Sequence, residues 1–157
     1  MKHTIQALVE NRFGVLARIA SLFSARGFNI DSLAVGETQD PTISCMTIVV
    51  NAEDERVLEQ IKKQLNKLID VVTVVDLTRK EYIDRELLLV KVFKKEGVLE
   101  TLDKLANEYP IKVLEERDDC FILEICAEHH SLENILREIK KIGIKELIRT
   151  GKIAIIK

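Results

Sequence analysis

The chain of 157 residues has no tryptophan, two prolines, three cysteines and three histidines, and aromatic residues make up 4% of it. Each scarcity excludes something. Few prolines and no low-complexity stretch, beside 46% hydrophobic and 32% charged residues, rule out a disordered or fibrous chain and leave an ordered globular one. Cys45, Cys120 and Cys126 are odd in number and form no C-x-x-C pair, so neither a disulfide framework nor a cysteine zinc site is expected. They read as small packing side chains in a reducing cytoplasm. His129 and His130 are adjacent and cannot share a helix face as an i, i+4 pair would, and His3 is remote; no metal site is expected. No apolar run approaches the roughly 20 residues of a membrane helix, and the amino terminus reads as a strand without a basic and apolar leader. The 24 basic and 26 acidic residues are interspersed, which leaves no concentrated positive field for nucleic acid. The nucleophile-elbow, zinc-helix and phosphate-loop signatures are also missing, so no catalytic set is expected.

What is there is one plan written twice. Ile5, Ala7 and Val9 alternate with polar residues over His3 to Glu10, the period of a strand. From Gly14 to Ala25 the period becomes helical, with Val15, Leu16, Ile19, Leu22 and Phe23 on one face and Arg18 and Ser21 facing away. Gly27 is placed to end that helix. Strands Asn29 to Glu37 and Ser44 to Val50 flank a turn at Thr38 to Pro41. A second helix, capped by Asp54 and carrying Val57, Leu58, Ile61, Leu65 and Leu68, leads to a β-branched strand from Val71 to Leu77.

The order then repeats. Strand Leu87 to Phe93, helix Gly97 to Glu108 and strand Ile111 to Glu115 come first. A hairpin at Arg117 to Asp119 leads into Phe121, Leu123 and Ile125; a helix with Leu132, Ile135, Leu136, Ile139 and Ile142 stops at Gly143. Strand Glu146 to Thr150 and a short hairpin over Gly151 to Ile156 finish the pattern. The fold class is therefore α+β: two consecutive ferredoxin-like βαββαβ sandwiches, divided as residues 1–78 and 79–157. Cys45 to Val50 and Val71 to Val75 carry apolar residues on both parities, so the sheet face away from the helices, or an edge, must also be covered, most simply by a second copy.

The informative segment is Val9 to Leu16, where a strand passes through a tight turn into a helix. Free N–H groups of a first helical turn favour an anion such as a carboxylate, and Gly14 lets a ligand approach closely. The same octet is compatible with Asn11 as a turn or cap residue and Gly14 as a turn residue, with no ligand at all. Asn29 and Asp31 put polar groups at the start of an otherwise buried strand. If two sheets pair about a two-fold axis, Asn29 of one subunit can reach the Asn11 to Leu16 loop of the other and complete an amino-acid site.

Asn11 to Ala17 (NRFGVLA), Leu22 to Gly36 (LFSARGFNIDSLAVG), Met46 to Val50 (MTIVV), Leu58 to Val72, Arg85 to Val92 (RELLLVKV) and Gly143 to Thr150 (GIKELIRT) together resemble the small regulatory subunit of acetohydroxyacid (acetolactate) synthase. The resemblance runs through nearly the whole chain. It implies an ACT domain followed by a second ferredoxin-like domain, a homodimer, and association with a large catalytic subunit. It further implies that the chain has no catalytic residues and no cofactor of its own, with thiamine diphosphate, magnesium and FAD in the large subunit. Activation of that subunit and feedback inhibition by valine or a related branched-chain amino acid are the implied function. The family's effector motif falls on Asn11, Gly14, Val15 and Leu16 of one subunit and Asn29 and Ile30 of the other. One departure is Phe13, where such loops commonly carry proline.

Two rivals share the element order. An RNA-binding βαββαβ module needs stacking aromatics on its central strands, where this chain has aliphatic residues. An acylphosphatase-like hydrolase needs an Arg and Asn phosphate loop at its first turn, and Arg12 alone is thin support for one.

Overall fold

The computed structural model describes residues 2–51 and 55–157, so the expected cap at Asp54 lies outside the described residues. Contacts divide the chain into two compact units, residues 2–83 with 152–157, and residues 84–151. The first unit is β1 (Lys2–Glu10), α1 (Val15–Ser24), β2 (Ile30–Glu37), β3 (Ile43–Asn51), α2 (Glu55–Leu65) and β4 (Val71–Asp76). β5 (Tyr82–Phe93), α3 (Val98–Glu108), β6 (Ile111–Glu116), β7 (Cys120–Ala127), α4 (His129–Ile142), β8 (Ile144–Arg149) and β9 (Ile153–Ile156) follow.

The double βαββαβ order expected from periodicity is observed. The first sheet runs β2-β3-β1-β4 and the second β6-β7-β5-β8, with β9 also paired to β5. Every neighbouring pair whose register is defined is antiparallel. Ile5, Ala7 and Val9 of β1 and Met46, Ile48 and Val50 of β3 meet Val15, Ile19, Leu22 and Phe23 of α1 and Leu58, Ile61 and Leu65 of α2 in one core. The second unit has its own, built on Leu88, Val90, Val92, Phe121, Leu123 and Ile125 beneath α3 and α4. Burying a side chain of this size contributes roughly 1.5–3 kcal/mol, which is why the helical and alternating stripes determine both layers.

The structure departs from the expected boundaries and packing at several points. α1 starts at Val15, because Gly14 takes a left-handed φ of 83° that cannot belong to a right-handed helix. β5 starts at Tyr82, five residues before the expected Leu87. Cys126 is exposed, unlike buried Cys120 and half-buried Cys45; β7 buries its odd positions, which turns Cys126 to the other face. Residues 151–156 do not fold back on β8: Gly151, at φ 87°, turns the chain, and β9 pairs with β5. The division by contacts also falls between Ile83 and Asp84, not after residue 78, and it returns residues 152–157 to the first unit.

That return supplies a cover for the first sheet. On the face away from the helices, Gln6 Nε2 donates to Ala154 O at 2.8 Å and the Lys152 N–H donates to Ser32 Oγ at 3.1 Å. Ser32 is on β2 and Gln6 on β1, so the segment crosses β3 between them, where Thr47 and Val49 are only 3% and 6% exposed. The apolar residues of both parities on β3 are thus partly covered by the chain itself, where a second copy was the expected cover.

Candidate functional site

The candidate loop leaves β1 at a bulge, because the β1–β4 register shifts between Leu8 and Val9. The Glu10 N–H then donates to Asp70 O at 2.8 Å and the Asn11 N–H to Thr42 O at 2.7 Å. Asn11 is anchored again by its side chain, whose Nδ2 donates to Pro41 O at 2.9 Å and to Glu37 Oε1 at 3.2 Å. Asn11 is therefore a brace between the loop and the β2–β3 turn. Its Oδ1 accepts no hydrogen bond among the described residues and is the part left to meet a ligand.

Arg12 pairs with Glu10 at 3.2 Å, and Phe13 is fully exposed, its ring against solvent. Gly14 then takes φ 83° and ψ −5°, and no side chain caps α1. The uncapped amides of the first turn carry the partial positive charge of a helix amino terminus. Val15 is 3% exposed and sits in the core, so it has only its backbone to offer; Leu16 is exposed at the rim.

Asn29 and Ile30 lie at the other end of the unit. Asn29 is exposed and donates from Nδ2 to Asp31 Oδ1 at 2.8 Å, which supplies the partner its amide requires. Ile30 packs at the edge of the core and stands opposite Val50 of β3, whereas Glu10 stands opposite Ile43. Those two positions are seven residues apart along β3, about 23 Å of extended chain. One chain therefore keeps the two halves of the expected site apart.

Four groups that hold the loop were not picked out from the sequence: Glu37, Thr42, Asp70 and Arg18. Arg18 faces away from the core, as expected, and its guanidinium grips Asp70 through two hydrogen bonds of 2.7 and 2.9 Å. Those bonds, assisted by the carboxylate's charge, hold the Arg18 pKa above its ordinary value against an opposing desolvation. The spacing of Arg18 four residues after Gly14 was the available signal; nothing local marks Asp70.

The second unit repeats the glycine entry to its first helix, with Gly97 at φ 77° and ψ −3° followed by Val98 and Leu99, as Gly14 is followed by Val15 and Leu16. The preceding lysines are engaged, Lys94 with Glu116 and Lys95 with Ile142 O. Among the described residues no group of three or more His, Cys, Asp or Glu is placed to hold a metal ion, and no helix is long and apolar enough to cross a membrane. Burial raises the Cys45 thiol pKa, the reverse of what an activated thiolate requires.

A four-stranded sheet under two helices, entered through a glycine-opened loop and followed by a second unit of the same order, defines the class: tandem ferredoxin-like domains, the first of ACT type. Residues 5–73 match the model of the AHAS small subunit-like ACT domain, and residues 85–157 match that of the small subunit of acetolactate synthase. A probable acetolactate synthase small subunit of Archaeoglobus fulgidus is 43% identical over 157 residues, 100% of this chain and 98% of that relative. The acetolactate synthase small subunit of Bacillus subtilis is 38% identical over 154 residues, 98% of this chain and 90% of that relative. The crystal structure of the small subunit from Thermotoga maritima superposes with a TM-score of 0.87 at 32% identity, covering 100% of this chain and 98% of that one. The chain belongs to the acetolactate synthase small-subunit family. The RNA-binding alternative gains no support: on the face away from the helices the central strands present Gln6, Leu8, Cys45, Thr47 and Val49, with no aromatic on which a base could stack.

Proposed function

We propose that the chain is a non-catalytic regulatory subunit, which raises the activity of a large catalytic subunit and makes it sensitive to valine or a related branched-chain amino acid. In this reading the thiamine diphosphate, magnesium and FAD of the reaction belong to the large subunit. The effector sits between two copies of the first unit. Its carboxylate meets the amides at Gly14, Val15 and Leu16 and its ammonium meets the amide oxygens of Asn11 and, from the second copy, Asn29, with Leu16 and Ile30 against its aliphatic side chain.

The observation that carries this reading is the uncapped, glycine-opened start of α1 beside the braced Asn11. Such an end attracts an anion, and the exposed Leu16 beside it suits an aliphatic ligand. The separation of Asn29 from that loop within one chain is what a site shared across a two-fold axis requires. The effector would act by linkage, preferring one arrangement of the dimer and shifting the attached catalytic subunit with it.

The test is acetolactate formation by the large subunit from the same source, alone, with this chain, and with this chain plus valine, leucine or isoleucine. The reading expects stimulation by the chain and its reversal by one of the three amino acids. No change in rate on adding the chain would overturn it.

A further inference from the structure

Arg18 and Asp70 stand outside the residues assigned to the effector, yet both are tied to its loop. The Arg18 N–H donates to Gly14 O at 3.0 Å, and its side chain runs back toward the helix start, as helical side chains do. Nη1 lies over Gly14: a β-carbon placed on that glycine would stand 3.1 Å from it. The other two nitrogens of the guanidinium face Asp70, Nε donating to Oδ2 at 2.7 Å and Nη2 to Oδ1 at 2.9 Å, a fork-to-fork geometry that fixes direction as well as distance. The Asp70 side chain is 10% exposed and that of Arg18 49%, so water competes little at the carboxylate and more at the guanidinium.

Asp70 also holds the other end of the loop. Its backbone oxygen accepts the Glu10 N–H at 2.8 Å, and it directly precedes Val71, which faces Val9 across the bulge. One aspartate thus fixes the exit from β1 through its carbonyl and the entry to α1 through its carboxylate and Arg18. Between those points Asn11 is braced by the β2–β3 turn and the Arg12 N–H donates to Glu10 O at 3.0 Å, but the step into the helix is held loosely by the loop itself, the Val15 N–H reaching Arg12 O only at 3.4 Å.

We propose that Arg18 and Asp70 are a positioning pair: they hold the Glu10 to Gly14 loop in the shape that presents the first-turn amides, and so set effector affinity without being effector ligands. This rests on the effector reading of the loop given above. A loop in the competent shape for only a tenth of the time binds about ten times more weakly, which is the scale of effect the pair controls.

The experiment compares wild type, Arg18→Met, Arg18→Lys and Asp70→Asn in the full chain by amide hydrogen exchange and by calorimetric titration with valine, leucine and isoleucine. Asp70→Asn keeps the side chain's size and the backbone carbonyl, which guards against a variant that simply fails to fold. The proposal expects the Glu10 and Arg18 amides to exchange about tenfold faster in Arg18→Met and Asp70→Asn while the β3 amides are unchanged. Valine affinity should fall about tenfold, with Arg18→Lys intermediate because it keeps the charge and loses the fork. Unchanged loop exchange in both variants would overturn the clamp. Faster exchange with unchanged valine affinity would overturn its role in setting affinity. A wild type that binds no branched-chain amino acid would bring down the effector reading, and the exchange data would still decide the clamp.

Discussion

Gly14 shows how much one residue can determine. Its φ of 83° strains any side chain, and a β-carbon there would stand 3.1 Å from Arg18 Nη1, closer than side chains ordinarily pack. Gly14→Asp should therefore lower the valine affinity at least tenfold and cost about 1–2 kcal/mol of stability from the left-handed backbone, with the fold retained. Calorimetry and urea unfolding separate the two effects. Charge at single residues sets the acid limit of stability. Hydrogen bonds from Lys145 and then Cys120 hold the Asp119 carboxyl below its ordinary pKa, the side chain and backbone of Thr42 do so for Asp40, and Lys91 does so for Glu146. A pKa lower in the folded chain than in the unfolded one contributes stability above the unfolded value, and that contribution is lost as pH falls through the folded value. Unfolding free energy should thus begin to drop below about pH 4, with a shallower drop in Asp119→Asn; equal acid slopes for variant and wild type would contradict this.

At the scale of elements, the sequence was most informative where burial is one-sided. The stripe Val15, Leu16, Ile19, Leu22 and Phe23 defined α1, and all of it but the exposed Leu16 lies in the core it predicted. Leu22→Asp should abolish folding of the first unit, because an uncompensated buried charge belongs to the class of changes costing more than about 4 kcal/mol. Loss of the first unit's circular dichroism and of its protected amides is the readout. The partners of the ends were not legible. β9 shows an apolar Ile153, Ile155 and Ile156, yet nothing in its own residues marks Ser32 and Gln6, 120 and 148 positions away, as its contacts. The apolar residues of both parities on β3 signalled that a cover existed and left its source open. Deleting residues 152–157 should expose Val49 and Thr47 and destabilise the first unit by about 1–3 kcal/mol, with faster exchange at those two amides. Unaltered exchange there would show that the segment covers nothing.

At the scale of the whole molecule, the chain is one domain plan used twice with different ends. Both units enter their first helix through glycine, valine and leucine, and each has a separate core. Only the first carries the braced asparagine loop. Gly14 was legible as a turn between a strand period and a helical one, and Asn29 as a polar residue before a strand, although β2 is half-buried to exposed where a buried strand was expected. The distance between them was not legible, because it follows from the pairing of β2 with β3, which fixes Ile30 beside Val50.

That separation makes the shared site testable by subunit mixing. Gly14→Asp and Asn29→Ala chains are purified, unfolded together in equal amounts, refolded and titrated with valine, each variant alone serving as control. If the loop of one subunit and the strand of the other build each site, neither variant alone binds. In the mixture half the dimers are hybrids with one intact site of two, so about a quarter of the wild-type sites return with wild-type affinity. Wild-type binding in either variant alone, or no recovery in a mixture that has formed hybrid dimers, would contradict an effector site shared between two small subunits.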